Sequence, residues 1–453
     1  MALSQIIFIL LLAIVSFIAF RQFGAIYKTI RLGKEEDISG DVGWRWKNVF
    51  LVAFGQKKMF KRWIPAMFHF FIYAAFLMTQ IELIEIVIDG LGGVHRFFAD
   101  KIGFLYPLMI STIEILSLLA FVATVIFLWR RNILKVPRLV MPEMKGWPKL
   151  DGNLILFGEL LLLVGIFSMN GADVLLQKLD PSHFPDTGTL AVSSWLGPAL
   201  FGGLDQGTLH IIERAGWWLH LMVVFGFITY LPFSKHLHIF LAFPNVYFSR
   251  NRSRGEMENM PEIMNEVKSM MGLVEDDGGA MSEEIPEFGS KDITDLSWKT
   301  ILEAYTCTEC GRCSSVCPAN MTGKKLSPRK IMMDIRDRAE DVGKKIRSGD
   351  KQYIKEDLRE SQEVLTAKNF DDGLSLFDKI THEELYACTT CNACVEACPV
   401  MISPVEPILE MRRYDILTKS AGPSDWLPMF NSVEQGGAVW QMPDARDAWV
   451  SQE

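Results

Sequence analysis

No cysteine precedes residue 307 and none follows residue 398, in a chain of 453 residues that holds eight of them. Cysteines confined in this way do not staple a fold, and their two tight groups indicate metal ligation in a reducing compartment. Long apolar runs are missing beyond residue 245, so that half reads as soluble. No stripe of basic residues occurs either, and the net charge of −8 argues against a nucleic-acid partner. The first apolar stretch lacks a basic leader and a small-residue cleavage site, which makes it a membrane span rather than a signal peptide.

The hydrophobic residues, 49% of the chain, are concentrated in the first half. A bilayer span needs roughly 20 mostly apolar residues, and five stretches meet that need: about 4–23, 63–88, 104–129, 152–170 and 211–234. Basic residues are split unevenly between the connecting loops. Loops 24–62 and 130–151 carry nine and six of them, whereas loops 89–103 and 171–209 hold only Arg96, Lys101 and Lys178. The positive-inside rule then puts the N-terminus outside and the second half in the cytoplasm. The expected architecture is an all-α membrane protein, with a five-span bundle over 1–244 and a linker over 245–296 that contains one short helix at 261–272. A cytoplasmic α-helical ferredoxin domain follows over 297–418, then a C-terminal extension over 419–453 suited to docking a partner.

The cysteines form two runs, "CTECGRCSSVCP" from Cys307 and "CTTCNACVEACP" from Cys388. Each is C-x2-C-x2-C-x3-C-P, the two-cluster ferredoxin pattern, in which three thiolates share a loop and the fourth ligates the other cluster. One [4Fe–4S] is therefore assigned to Cys307, Cys310, Cys313 and Cys398, and the second to Cys388, Cys391, Cys394 and Cys317. A pair of zinc sites is a poor alternative, because zinc needs only two cysteine pairs. About 70 residues separate the runs. Two charged stretches within them, "SPRKIMMDIRDRAEDVGKKI" and "DKQYIKEDLRESQEVL", have helical spacing of Leu, Ile and Met.

Eight histidines remain. His69, near the start of the second span, and His238, just past the fifth, lie at similar depth. Imidazole pairs on facing helices are how a helical bundle holds a haem. His220 and His238 are 18 residues apart, five helical turns, and so share one face of a continuous helix roughly 27 Å apart. His236 points to the opposite side. A partner for His220 must come from His95, His210 or Met78, since Gln80 rather than a second histidine shares the His69 face. His183, His236 and His382 read as interfacial residues, and for His95 and His210 both readings stand. Glu82, Glu85 and Asp89 share a face in the outer half of the second span, and Glu114, Glu159 and Glu213 lie within span limits. Intramembrane carboxylates are expensive and suit proton exchange beside a quinone, so Glu82, Gln80 and Glu85 are the candidate quinone and proton residues.

"YLPFSKHLHIF", with His220 upstream, resembles the last haem-binding span of the respiratory nitrate reductase gamma subunit family. The resemblance implies that His69 and His238 bind one haem b and that His220 helps bind another, although the family's remaining histidine is replaced near Thr79. The second half resembles heterodisulfide-reductase-type iron–sulfur subunits. "LYACTTCNACVEACPV", "ILEMRRYDIL" and "VWQMPDARDAW" look like fused membrane proteins proposed as electron-transfer flavoprotein:menaquinone oxidoreductases. The long form of that family continues into cysteine-rich CCG domains. With no cysteine after Cys398, the resemblance implies that this part sits on a separate CCG-domain iron–sulfur subunit or is absent.

These readings converge on a respiratory-chain subunit in the bacterial inner membrane, part of a quinone oxidoreductase complex. It would pass electrons between a cytoplasmic redox partner, an electron-transfer flavoprotein among the candidates, and menaquinone, through two [4Fe–4S] clusters and haem b. Two rival readings accompany it. One is quinol oxidation feeding a cytoplasmic heterodisulfide-reductase-like enzyme; the other is a non-catalytic membrane anchor or redox sensor.

Overall fold

The computed structural model describes residues 3–38, 40–253, 255–273, 288–361, 363–440 and 447–450. The acidic stretch around Glu275 to Gly279 and the middle of "VWQMPDARDAW" lie outside the described residues. Five long helices carry the apolar stretches: α1 (Leu3–Ile30), α2 (Trp63–Gly92), α3 (Leu105–Asn132), α4 (Trp147–Leu179) and α5 (Gln206–Tyr230). All five are long and apolar enough to cross a membrane. Among the described residues there is no strand, only two isolated backbone bridges.

The helix limits have local causes. The Asp205 side chain accepts a hydrogen bond from the Thr208 amide at 3.0 Å and starts α5, as an N-cap should. Pro148 occupies the first turn of α4, where no amide is needed. Gly93 ends α2 in the left-handed conformation, φ 67°. Within the bundle α4 and α5 pack most extensively, and two glycines let them do so. A Cβ on Gly165 would meet the His220 amide nitrogen at 3.0 Å, and one on Gly216 would meet the Gly165 carbonyl oxygen at 2.8 Å. Small residues at such a crossing bring two backbones together in the membrane. Phe8 ties α1 to the bundle by stacking near Trp217 and Phe225.

One expectation is corrected here. α5 does not continue to His238. It stops at Tyr230, gives way to 3-10 turns at Leu231–Phe233 and Lys235–Leu237, and a new helix, α6 (His238–Tyr247), starts on the histidine itself. Pro232 removes an amide donor. Ser234 is extended, φ −120° and ψ 148°, and its hydroxyl accepts from the His236 amide at 3.1 Å. The five-turn register between His220 and His238 is therefore broken.

The second half is built on α7 (Trp298–Thr306), α8 (Pro328–Ser348) and α9 (Val405–Arg413). α8 realises the first charged stretch as a helix, capped by Ser327 and ended by Gly349 at φ 69°. The second stretch differs from expectation. It forms short 3-10 turns at Lys351–Tyr353 and Glu356–Ser361, held by a bridge from Ile354 to Phe370.

The core of this half joins Ile331, Ile335 and Val342 of α8 to Ile301 of α7, Ile408 of α9 and Ile26 and Ile30 of α1. The backbone of Lys34 bonds Leu296 and Trp298 at 2.8 and 2.9 Å, so α1 is stitched to the start of α7. The segment expected as a linker is bound at both ends. Asn245 is buried and donates to the Val400 carbonyl at 2.8 Å. Ile293 and Leu296 enter the core, and Asp292 pairs with the buried Arg338. A short helix occupies Pro261–Met270 between them. Beyond α9, α10 (Trp426–Gly436) sets the Trp426 ring 5.1 Å from that of Tyr386.

Candidate functional site

Both cysteine runs fold the same way. Glu309 and Gly311 in the first, at φ 52° and 68°, match Thr390 and Asn392 in the second, at φ 52° and 58°. These left-handed residues curl each loop around a cavity. Cys307, Cys310, Cys313 and Cys398 line one cavity, with Met332, Ile402 and Pro404 beside them. Cys317, Cys388, Cys391 and Cys394 line the other, with Leu326, Val405 and Ile408. The fourth cysteine of each run thus lines the cavity of the other. Among the described residues no three Cys, His, Asp or Glu side chains gather as one ion requires; the thiols ring a space instead, as a multi-iron cluster needs.

Two backbone amides point at sulfurs, Thr390 at Cys388 (3.4 Å) and Ile402 at Cys398 (3.3 Å), contacts that tune a bound cluster. Burial pushes the Cys307 and Cys394 thiols up to about 12 and Cys398 to about 11. A cluster bound there would displace these protons as it assembles.

The first cavity sits against the bundle. Arg138 donates to the Cys310 carbonyl at 3.0 Å, Arg312 to the Met59 carbonyl at 3.2 Å, and Arg62 to the Ser315 hydroxyl at 2.9 Å. Lys58 reaches the Val395 carbonyl, and Lys61 pairs with Glu396. The two loops rich in Lys and Arg are thus the docking surface of the iron–sulfur half. Glu309, buried between Cys307 and Cys310, pairs with Lys235 and with Arg336. Burial pushes its carboxyl up, but Lys235 and Arg336 outweigh that and hold it below the usual range. In the second cavity Cys391 is exposed, whereas no cysteine of the first is.

The histidines separate by what their rings bond. His69 Nδ1 lies 3.3 Å from the Gln56 side-chain oxygen, His238 Nδ1 3.0 Å from the Lys235 carbonyl, and His220 Nδ1 3.2 Å from the Leu162 carbonyl. A neutral oxygen at Nδ1 selects the tautomer whose Nε2 lone pair is free to ligate a metal. The other four partnered histidines meet carboxylates: His95 with Asp173, His210 and His183 with Asp180, and His382 with Asp415. His69, His236 and His238 form one group within electrostatic range of each other, and Arg312 of the first cysteine loop is within range of His69. The rings of His236 and His238 are 5.9 Å apart, and His236 Nδ1 is buried without a hydrogen-bond partner. No interaction brings His95 or His210 to His220, and Met78 packs instead against the Tyr106 and Ile110 cluster.

Of the candidate quinone and proton residues, Glu85 is saturated by the Phe98 amide and the Tyr106 hydroxyl, both at 2.8 Å. Gln80 donates to the Phe76 carbonyl of its own helix. Glu82 differs: it is 1% exposed, neither carboxylate oxygen makes a hydrogen bond of good geometry, and Arg96 stands 3.8 Å away. Asp89 accepts from the Arg96 and Phe97 amides. Glu114 caps the helix at Ser193–Phe201 through the Val192 and Ser193 amides. Glu159 accepts from Thr124, and Glu213 is clamped by Arg214. Sequence reasoning missed Gln56, Arg96, Asp151, Lys235 and Glu309. Only Glu309 left a signal, as the charged residue at a position where the second run has Thr390.

Residues 306–402 match the family model of the 4Fe-4S dicluster domain. Over 431 residues the chain is 30% identical to a probable iron-sulfur-binding oxidoreductase, FadF, of Bacillus subtilis, covering 91% of this chain and 55% of that protein. It is 25% identical to an EtfAB:quinone oxidoreductase of Syntrophomonas wolfei, covering 90% and 54%. A probable membrane-anchored ferredoxin of Chromohalobacter salexigens is 34% identical over 138 residues, covering 28% of this chain and 19% of that one. The chain spans about half the length of the first two relatives. No solved structure matches. The relatives are iron–sulfur oxidoreductases, and this chain is a membrane-associated iron–sulfur electron-transfer protein with a dicluster domain.

Proposed function

We propose that the chain is the membrane-anchored subunit of a quinone oxidoreductase complex, passing electrons between a cytoplasmic redox partner and menaquinone. Cys307, Cys310, Cys313 and Cys398 hold the cluster nearer the bundle. Cys388, Cys391, Cys394 and Cys317 hold the one facing the partner, a CCG-domain iron–sulfur subunit or an electron-transfer flavoprotein. His69 and His238 hold one haem b, which supplies reversible one-electron transfer inside the membrane. The ring bonds fit this role, since both imidazoles are oriented through Nδ1. His220 is oriented in the same way. Glu82, buried, without a hydrogen-bond partner and facing Arg96, is the candidate proton carrier beside the quinone.

The observation that carries this reading is the docking of the first cysteine cavity onto the turn that bears His238, through Glu309 and Lys235. The basic loops on that side support a cytoplasmic placement of the iron–sulfur half and an outer N-terminus. The test is a pyridine-haemochrome assay with iron and sulfide analysis on the purified chain, followed by addition of a reduced menaquinone analogue. A b-type spectrum that the quinol reduces supports the proposal. Two filled clusters with no haem would reduce the chain to an anchor or sensor.

A further inference from the structure

Glu309 and Lys235 are 74 positions apart in the chain, and each belongs to a different cofactor's surroundings. Glu309 lies two residues after Cys307 and directly before Cys310. Its left-handed backbone turns the carboxylate away from the cavity toward the bundle. One carboxylate oxygen receives Lys235 Nζ, and the other receives Arg336 Nη2 at 2.9 Å. Lys235 is itself fixed on every side: Nζ also reaches the Pro148 carbonyl at 2.7 Å, and its amide donates to Asp151 at 3.1 Å. Its carbonyl takes the Nδ1 bond of His238 at 3.0 Å. Asp151, 1% exposed, also accepts from Tyr230 and Ser234, which locks the whole turn. The loop that carries Cys307 and Cys310 is thus joined to the His238 ring through these two residues.

We propose that Glu309 and Lys235 are a positioning pair. They fix the membrane-facing cluster against the His238 turn and set the reduction potential of that cluster, leaving the other untouched. The inference rests on the reading given under Proposed function and adds the residues that couple its two parts. A purely adhesive role accounts poorly for the pair. Its side chains are 10% and 2% exposed, and ion pairs buried to that degree gain little net stability over apolar contacts. Docking is already supplied by Arg62, Arg138 and Arg312, none of which bonds both a cysteine's neighbour and the histidine turn. The second run has the same backbone at Thr390 but no charge there.

The test uses the full chain, purified with its cofactors, and potentiometric titration of both cluster signals by electron paramagnetic resonance. A cluster gains negative charge on reduction, so removing a neighbouring negative charge favours reduction and removing a positive charge disfavours it. Glu309→Gln should raise the potential of one cluster, and Lys235→Gln should lower that of the same cluster. Each shift should be about tenfold in the one-electron equilibrium, about 59 mV. Lys235→Arg should restore the wild-type value. Iron and sulfide content guards against a cluster that is simply lost. Shifts of equal sign in the two variants, equal shifts in both clusters, or unchanged potentials with full iron would each overturn the inference. A wild-type chain without haem, by contrast, sinks the haem reading and leaves the potentials to judge the pair.

Discussion

The two cysteine runs share spacing and backbone shape, yet they live in different electrostatic settings. Around the first, Arg312, Glu309 and Arg329 are buried in contacts with the loops and turns of the bundle, whose Arg138 reaches the Cys310 carbonyl. Around the second, the matching positions hold Thr390 and Ala393, and Cys391 is exposed. A duplicated loop has kept the geometry that a cubane needs and changed only what lies outside it. In iron–sulfur proteins charge, hydrogen bonds to sulfur and exposure tune the potential. Two cofactors of one chemical type can therefore serve as an entry point and a handover point.

The sharpest way to break this comparison is to exchange the cavities' fourth ligands. Cys398→Ser, although it lies in the second run, should abolish the signal of the bundle-facing cluster. Cys317→Ser should abolish that of the cluster beside the exposed Cys391. Each should cost about half of the bound iron by chemical analysis. Loss of the opposite signal in either variant would refute the crossed assignment. His69→Ala should next remove the b-type absorbance while both cluster signals persist, whereas His95→Ala, whose imidazole serves Asp173, should leave the spectrum intact.

A smaller effect is expected from Asp151→Asn, which weakens three bonds to the turn beneath the docked run. About 1.5–3 kcal/mol of stability should be lost, measured as a lower midpoint in thermal unfolding in detergent. Smallest of all, Thr390→Glu places a charge beside the exposed Cys391. Solvent screens it, so the potential of that cluster should fall by less than the Glu309→Gln change moves its counterpart. Equal effects would erase the difference between the two settings.

Much of this was legible in the residues because it is local. Apolar run length sets the five long helices, and C-x2-C-x2-C-x3-C-P carries its own loop geometry. The break after Tyr230 was only half legible. Pro232 announces a kink, but the full interruption also needs Ser234 to cap the next turn. The stretch 350–365 has charges at helical spacing without a continuous apolar stripe to bury, and it settles into 3-10 turns. What could not be read are pairings across long separations. Lys235 with Glu309, Asp292 with Arg338 and Gln56 with His69 join residues whose neighbours in sequence give no hint of the partner. Ile293 and Leu296 are similar: two apolar residues in a polar strip, buried only because α1 and α8 meet there.

The stitch between Lys34 and the start of α7 has a consequence for biosynthesis. Ile26 and Ile30 are translated about 270 and 300 residues before Ile301 and Ile331, which share their core. During that interval the C-terminal end of α1 stays bare, a site for chaperones or for premature association. A nascent polypeptide halted before α7 would insert its helices and still be unfinished, because α1 waits for α7 and α8 to bury its end.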